Sequence, residues 1–518
     1  MFMLQHLVVT HYHLRPGGVR RVIETSLPPI AAGGHLSGIT LATGEAPEED
    51  WLQRLREGLG ETPLDVEVHP GFLYTSERKP DPLETDEKLR SHCARVLVAH
   101  GGTNCVLWAH NLGLGRNLSM ARAWATAAQD TGAVLVSHHH DFFFDNRWAR
   151  WKEIQQAGFP NLHHAAQAVF PAGARTVHVA INRADHKLLA SGFGTRAVWI
   201  PNSVTPQRHS QAEARATPAW LASRTGFSDP YWLLPCRLLR RKNIAESVLL
   251  ARWLRPEARV VTTGAPTSPD EQPYARRLSS AAHRHDWRLD LSVLASIGGA
   301  PPVSALIANA EAVLLTSLQE GFGLPYLEAA TGERPLVARA LPNVMPDLVS
   351  LGLSAPLTYE DVLIPCDLFN RFDEVERQRM LWLRWLDALP PEARALARPP
   401  LVLEDSAAPV AFSRLTFTAQ EDVLSRTPES LHDALAPLNP ALAELRGIAG
   451  RLPPAHLDEV GRAALSPSHF GEKFWSAVEQ AGRGQPPAEA TSWDVLQAFL
   501  ADRLGSHNIY PMLLSTDT

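Results

Sequence analysis

The sequence predicts an α/β protein built from two parallel-sheet domains, and three stretches carry that expectation. Near the start, an apolar run ending at Thr10 leads through Gly17-Gly18 into a helix-like segment. In the middle, Tyr231 to Pro235 leads through a basic loop into an apolar helix pattern that runs to Leu254. Later, Ala312 to Leu315 leads through a Gly-rich turn to Pro325, where a first helical turn begins. Strand, loop and helix repeated in this way imply parallel strands joined by crossover helices. At 518 residues the chain exceeds what one ordinary core holds, so two or three domains are expected.

Composition narrows the class. A net charge of -6 and a pI near 6.4 oppose general nucleic-acid binding. Cys93, Cys105, Cys236 and Cys366 lie far apart and form no Cys-x-x-Cys pair, so neither a zinc knuckle nor a disulfide framework is indicated, and a reducing cytosol fits. Met1 to Thr10 carries no basic lead or cleavage pattern, and no apolar segment approaches a membrane span. A cytoplasmic enzyme is expected, with peripheral membrane contact and oligomeric state left open.

Taken in order, Leu4 to Thr10 reads as a buried first strand, and Ile39 to Thr43 and Asp65 to His69 as further strands, with loop or helix over Glu45 to Gly60. Thr75 to Asp86 is rich in Pro and charge and reads as an exposed loop before a helix from Glu87 to His100. Cys105 to Ala109 and Ala133 to Ser137 are short apolar strands separated by a helix from Ser119 to Asp130. Ala168 to Pro171, Val177 to Asn182 and Ala197 to Pro201 read as further strand-like runs. A polar linker is expected over 206–229, between an N-terminal domain at 1–205 and a second domain at 230–425. Arg259 to Gly264 reads as strand and turn, and Pro301 to Ala310 as helix. A Trp-rich amphipathic helix through Trp382 and Trp385, a Pro/Ala-rich surface connection at 390–409 and a helix from Phe412 to Leu424 with Thr416 or Thr418 as N-cap follow. The remainder, 426–518, is helical in pattern, with Phe470 to Gln480 and Ser492 to Leu504 its clearest segments.

The chemistry concentrates where strands end. Around Pro325 the first-turn amides, roughly Gly323 to Leu327, lack intrahelical partners and sit at the positive end of the helix dipole, a place for a phosphate. Glu320 and Glu328 flank it; a carboxylate repels phosphate but accepts from sugar hydroxyls, so the pair suggests a nucleotide sugar. Arg237 and Lys242, five residues apart at a strand-to-helix junction, can straddle a diphosphate, and lysine is otherwise scarce here; Arg240 and Arg241 read as a solvated basic helix start. Gly17-Gly18 lets a backbone approach a ligand closely, although a plain tight turn has the same pattern. His138, His139, His140 and Asp141 follow the strand ending at Ser137. His138 and His140 share one face of an extended segment, which admits a metal site, although spacing places no third ligand; structural packing is the other reading.

Glu320-x7-Glu328 with Gly321-Phe322-Gly323-Leu324-Pro325 inside it resembles the donor-site signature of the retaining family-4 glycosyltransferases, which have the GT-B fold. Cys236-Arg237 to Lys242-Asn243 is similar to that family's Gly-Arg-Leu…Lys-Asn with Cys in place of Gly, Gly17-Gly18-Val19 to its N-terminal Gly loop, and Ile200-Pro201-Asn202-Ser203-Val204 to its Ile-Pro-Asn-Gly-Val with Ser in place of Gly. The resemblance covers Gly17 to about Ala338 and nothing secure beyond. It implies two Rossmann-like domains facing across a cleft, with a helical extension partly crossing back to the first. Glu320 would contact the donor sugar, Glu328 the ribose, and the backbone of Gly321, Phe322, Gly323 and Leu324 the diphosphate, with Arg237 and Lys242 stabilising the leaving group and Gly17 and Gly18 facing the donor. His140-Asp141 matches the His-Asp that follows an N-domain strand in many members, near the donor sugar and acceptor; His140, Asp141, Arg237, Lys242 and Glu320 are the expected catalytic set. Asn111, Arg116, Arg147 and Trp148 are acceptor candidates, although aromatic packing under a loop, beside Phe142-Phe143-Phe144, is the commoner explanation of such a set. No Asp-x-Asp occurs in the sequence, so no metal is expected; cations and helix dipoles take its place. The implied activity is transfer of a hexosyl group from a nucleoside diphosphate sugar to a hydroxyl acceptor, with retention. A GT-B phosphorylase and a non-catalytic GT-B subunit acting as an assembly partner are the alternatives.

Overall fold

The computed structural model describes residues 5–33, 36–78, 86–206, 209–266, 268–295, 298–404, 409–484 and 491–514. The chain forms two compact units. The first holds 1–205, 388–396 and 463–503; the second holds 206–387, 397–462 and 504–518.

In the first unit the strands are β1 (Gln5–Thr10), β2 (Leu36–Thr43), β3 (Leu64–Val68), β4 (Cys105–His110), β5 (Val134–His139), β6 (Thr176–Ala180) and β7 (Ala197–Trp199). They form one parallel sheet in the order β3-β2-β1-β4-β5-β6-β7. Near-continuous apolar strands such as Val106 to Ala109 belong to a sheet covered on both faces. Leu7, Val9, Ile39, Leu41, Trp108 and Val136 anchor one core, and Phe470 and Phe474 of the returning helix Pro467–Gly482 pack into it.

The second unit repeats the plan with β8 (Tyr231–Arg237), β9 (Arg259–Gly264), β10 (Leu289–Asp290), β11 (Ala312–Leu315), β12 (Leu336–Arg339), β13 (Leu353–Ser354) and β14 (Leu357–Tyr359). Its parallel sheet runs β10-β9-β8-β11-β12-β14, while β13 pairs antiparallel with His456–Leu457. Trp232, Leu234, Val248, Trp253, Tyr274 and Phe417 lie in its core. In both sheets the strand order reverses once, between β1 and β4 and between β8 and β11. Loops at the carboxyl ends of strands diverge at such a point and leave a crevice, so the topology alone marks one ligand position per unit.

Several expectations change. Ala168 to Pro171 is not a strand: Ala168 and Val169 close the helix Leu162–Val169, whose start is capped by Asn161 accepting from His164 N at 3.1 Å. The linker expected at 206–229 contains the helix Gln211–Thr225, started by a Ser210/Glu213 capping box. Only Thr217 and Leu221 of that helix are buried, so it has no apolar stripe to read. Residues 426–518 are not a separate extension, because 463–503 belongs to the first unit and the rest of the described tail to the second. The segment from Phe412 opens with a single 3-10 turn, Phe412–Arg414, before the helix Phe417–Leu424; Thr416 holds the N-cap position, but its hydroxyl donates to the buried Glu374 carboxylate at 2.6 Å. Within 390–409 lie two short helices, Pro391–Leu396 and Leu401–Glu404. Trp382 and Trp385 are buried, as a packed amphipathic helix requires, with ring centroids 5.2 Å apart. Parts of the expected first strand (Leu4), the charged loop (79–85), the linker (207–208) and the Pro/Ala connection (405–408) lie outside the described residues. Among the described residues no helix is long and apolar enough to cross a membrane.

Candidate functional site

At the β8/β11 reversal two loops are stitched together. Thr316 Oγ1 donates to the carbonyls of Lys242 (2.9 Å) and Asn243 (3.1 Å), and Leu318 N donates to Arg241 O at 2.7 Å. This brings the Glu320 carboxylate onto the Lys242 ammonium. Ser317 Oγ donates to Glu320 Oε1 at 2.6 Å, and Arg241 Nη1 to Oε2 at 3.1 Å. Burial by itself would push the Glu320 carboxyl up, but Lys242 and Arg241 outweigh it and hold the group at about 2. Glu320 is therefore ionised throughout the neutral range. Asn343 Nδ2 donates to Glu320 O at 2.8 Å and fixes the loop from the other side.

The helix Leu324–Thr331 starts behind this pair with Pro325 in its first turn. Gly323 caps it at φ 85°, and a Cβ there would lie 2.7 Å from Val344 Cγ1 and 2.9 Å from Tyr326 Cδ2, so the fold itself demands glycine. Phe322 is buried, while Gly321, Leu324 and Glu328 are half-buried. Arg237 is exposed at the end of β8, and its Cγ occupies room that a Cβ on Gly264 would invade at 3.0 Å. The expected solvated pair of arginines is neither: Arg241 touches Glu320, and Arg240 lies against Glu271, with Nε to Oε2 at 3.3 Å and both side chains largely buried. Cross-loop partners of this kind are set by the β8/β11 pairing and leave no mark in local sequence.

At the β1/β4 reversal of the first unit, Asn111 adopts a left-handed conformation with φ 58°. Its Oδ1 accepts from His140 N at 2.8 Å and Asp141 N at 3.1 Å, and its carbonyl accepts from Tyr12 Oη at 2.9 Å. Asn111 thus shapes the His140-Asp141 turn rather than offering its carbonyl oxygen to an acceptor. Arg147 donates to Phe142 O at 2.9 Å and stands 3.5 Å from Asp141 Oδ2; Arg116 lies over the Tyr74 ring at 5.0 Å. Trp148 is corrected as an acceptor contact: it is 1 % exposed and packs edge-on against Phe143, because the aromatic stretch 142–144 turns inward under Phe499. Arg503, ending the helix Ser492–Arg503, holds that stretch through Asp145 at 3.0 Å, while Asp145 Oδ2 accepts from Phe142 N at 2.7 Å.

The histidines divide by tautomer. Trp108 Nε1 donates to His138 Nδ1 at 3.2 Å, so the neutral His138 ring carries its proton on Nε2, a buried atom with no protein partner. His178 Nε2 faces Pro171 O at 3.1 Å and must donate, so its Nδ1 accepts from His139 Nε2 at 3.0 Å. His140 Nε2 and His110 Nδ1 share a bond of 3.1 Å. The third ligand that spacing could not place is present, since nitrogens of His110, His138 and His140 lie within 4.8 Å of one another. A tetrahedral ion with bonds of about 2.0–2.1 Å needs its nitrogens roughly 3.4 Å apart and unprotonated. Here the His138 and His140 rings are tilted by 33° with centroids 4.4 Å apart, and His110 and His140 lie nearly parallel at 5.3 Å. These rings surround His140 with one hydrogen bond and two ring contacts. Burial lowers His140 to about 4 and leaves it neutral near pH 7.

Sequence reading missed Ser317 and Asn343 and took Arg241 for part of a solvated helix start. It also missed Glu246 and Arg339, for which a signal existed: each is a charge inside an apolar run, Ile244–Leu254 and Leu336–Arg339, where charges need partners.

No family model matches the chain. Its sequence is 24% identical over 348 residues to mannosylglucosyl-3-phosphoglycerate synthase of Petrotoga mobilis, and the match spans 65% of the length of each protein. Among solved structures, sucrose-phosphate synthase from Thermosynechococcus elongatus superposes with a TM-score of 0.50 at 12% identity, over 92% of this chain and 98% of that one. Anabaena HepE in complex with UDP-glucose matches with a TM-score of 0.47 at 14% identity, over 85% and 98% of the two chains. Two doubly wound units, each with its loops gathered at a strand-order reversal, define the class: this is a protein of the GT-B fold.

Proposed function

We propose that the chain is a retaining glycosyltransferase that moves a hexosyl group from a nucleoside diphosphate sugar to a hydroxyl acceptor without a metal. The observation that carries this reading is the meeting of Lys242, Arg241, Glu320 and the start of the helix Leu324–Thr331 at the β8/β11 reversal. Two cations and a helix N-terminus suit a diphosphate, and an ionised carboxylate suits sugar hydroxyls. In the donor complex Lys242 turns from Glu320 toward the leaving diphosphate, Arg237 joins it, and Glu320, still held by Arg241 and Ser317, accepts from the sugar. Glu328 takes the ribose, and the backbone from Gly321 to Leu324 takes phosphate oxygens. Gly17 and Gly18 approach the donor, while neutral His140, oriented by Asn111 and beside Asp141, bonds a sugar hydroxyl. Arg116 and Arg147 remain acceptor contacts. The attacking hydroxyl enters on the face that the diphosphate leaves. The name of the curated relative makes phosphoglycerate-linked sugars the first acceptors to try.

Incubation with UDP-, GDP- and ADP-sugars should release the nucleoside diphosphate and give a product of retained anomeric configuration by proton NMR. Release of a sugar phosphate from phosphate instead, or binding of no donor, would sink the proposal. Dialysis against EDTA should leave turnover unchanged; loss restored by a divalent ion would remove the metal-independent part.

The two loop glycines should separate fold from function. A methyl on Gly18 meets no heavy atom within 4 Å, so Gly18→Ala should keep the thermal midpoint and weaken donor binding. Gly323→Ala should cost about 2 kcal/mol of stability through backbone strain and the clash with Val344. Equal midpoints in the two variants would contradict this division.

A further inference from the structure

We propose that the buried Arg339–Glu246 ion pair is a positioning device for Lys242, locking the loop after β8 and the helix Leu324–Thr331 into one spacing for a nucleoside diphosphate. The inference rests on the donor-site reading above. Glu246 lies in the first turn of the helix Ile244–Leu254 and is wholly buried, and Arg339 ends β12 with 3 % of its side chain exposed. Placing two charges there strips both of their hydration, and an apolar pair would fill the space at less cost. What the ion pair adds is direction.

Glu246 Oε2 accepts from Asn243 Nδ2 at 2.8 Å, and Oε1 accepts from Tyr359 Oη at 2.6 Å and from Arg339 Nη2 at 2.6 Å. Arg339 Nη1 donates to Glu360 O at 2.6 Å and meets Asp361. The bonds lead to both walls of the site. Asn243, next to Lys242, stands in the left-handed region at φ 47°, which residues other than glycine adopt only with local support. Its side chain is held there from both ends, by Glu246 and by Gln420 Nε2 donating to Oδ1 at 3.2 Å. On the other wall, Tyr326 of the helix Leu324–Thr331 donates to Arg339 O at 2.6 Å. These side chains act through Asn243, the neighbour of Lys242, and through Tyr326 in the helix behind Glu320.

The test is calorimetry of the full chain with whichever of UDP, GDP and ADP binds it, alongside thermal unfolding. The double variant Glu246→Met/Arg339→Met removes both charges of the pair together and should still unfold in one cooperative transition, its midpoint lowered by a few degrees as Tyr359 Oη and Asn243 Nδ2 lose their acceptor, while binding the nucleotide about tenfold more weakly. Added to Lys242→Met, the same pair of changes should weaken binding no further, since both act through one ammonium. Asn243→Gly, which accepts φ 47° without strain, should fold normally and reproduce most of the loss. Full affinity in the double variant or in Asn243→Gly, or losses that add in the Lys242→Met background, would overturn the proposal. An unmodified chain that binds none of the three nucleotides overturns the donor-site reading itself, and this inference falls with it.

Discussion

Acidification from pH 7 to pH 5 is expected to unfold the first unit. His11 and His178 are buried, and loss of hydration lowers each from 6.5 to about 3. His110, His138 and His139 are driven well below 6.5 for the same reason, with neighbouring imidazoles adding to the effect. An imidazole with a lowered folded value binds no proton in the native state where the unfolded chain already does. Stability from this source is complete above about 6.5 and is lost as pH falls from there toward 3. At pH 5 each of His11 and His178 contributes a loss of about 2 kcal/mol relative to neutral pH. The remaining buried rings act in the same direction, against a total stability of roughly 5–15 kcal/mol. Urea unfolding at half-unit pH steps should show stability falling with a slope worth more than one proton between pH 6.5 and 5. A flat profile there would mean that the native rings are already charged.

Lys242→Ala should lower turnover with the best nucleotide sugar by about 10²–10³-fold, because it removes the point charge placed where the leaving diphosphate becomes negative. It also strips Glu320 of its closest cation and leaves Arg241 and Ser317 to hold the carboxylate. Donor affinity should fall less than turnover, since ground-state contacts of the ribose and backbone remain. Steady-state rates beside nucleotide affinity check this. A variant within threefold of the parent in both would remove Lys242 from the mechanism and leave its pairing with Glu320 a structural contact.

Much of this was legible because strand-to-helix junctions leave local marks. Pro325 after a Gly-rich turn, Lys242-Asn243 before an apolar helix and Gly17-Gly18 after the first strand all stand where a strand gives way to a helix. The helix Gln211–Thr225 was invisible because it buries one side only at Thr217 and Leu221. Trp148 takes the packing role rather than the acceptor one, a choice local sequence leaves open because a Trp near Arg residues has the same pattern whether it faces solvent or, as here, Phe143.

The layered α/β plan and the residue types at each loop are legible in the chain itself, since apolar period, glycine, proline and capping residues act over a few positions. Tertiary structure alone decided which loops meet. Strand order brings Arg241 and Lys242 to Glu320 across 78 or more residues, joins Glu246 to Arg339, and stacks His110 on His140. It also sends 463–503 back to the first unit. Pairing in a parallel sheet is settled by packing between distant segments, and a charge carries no local sign of the partner that will neutralise it.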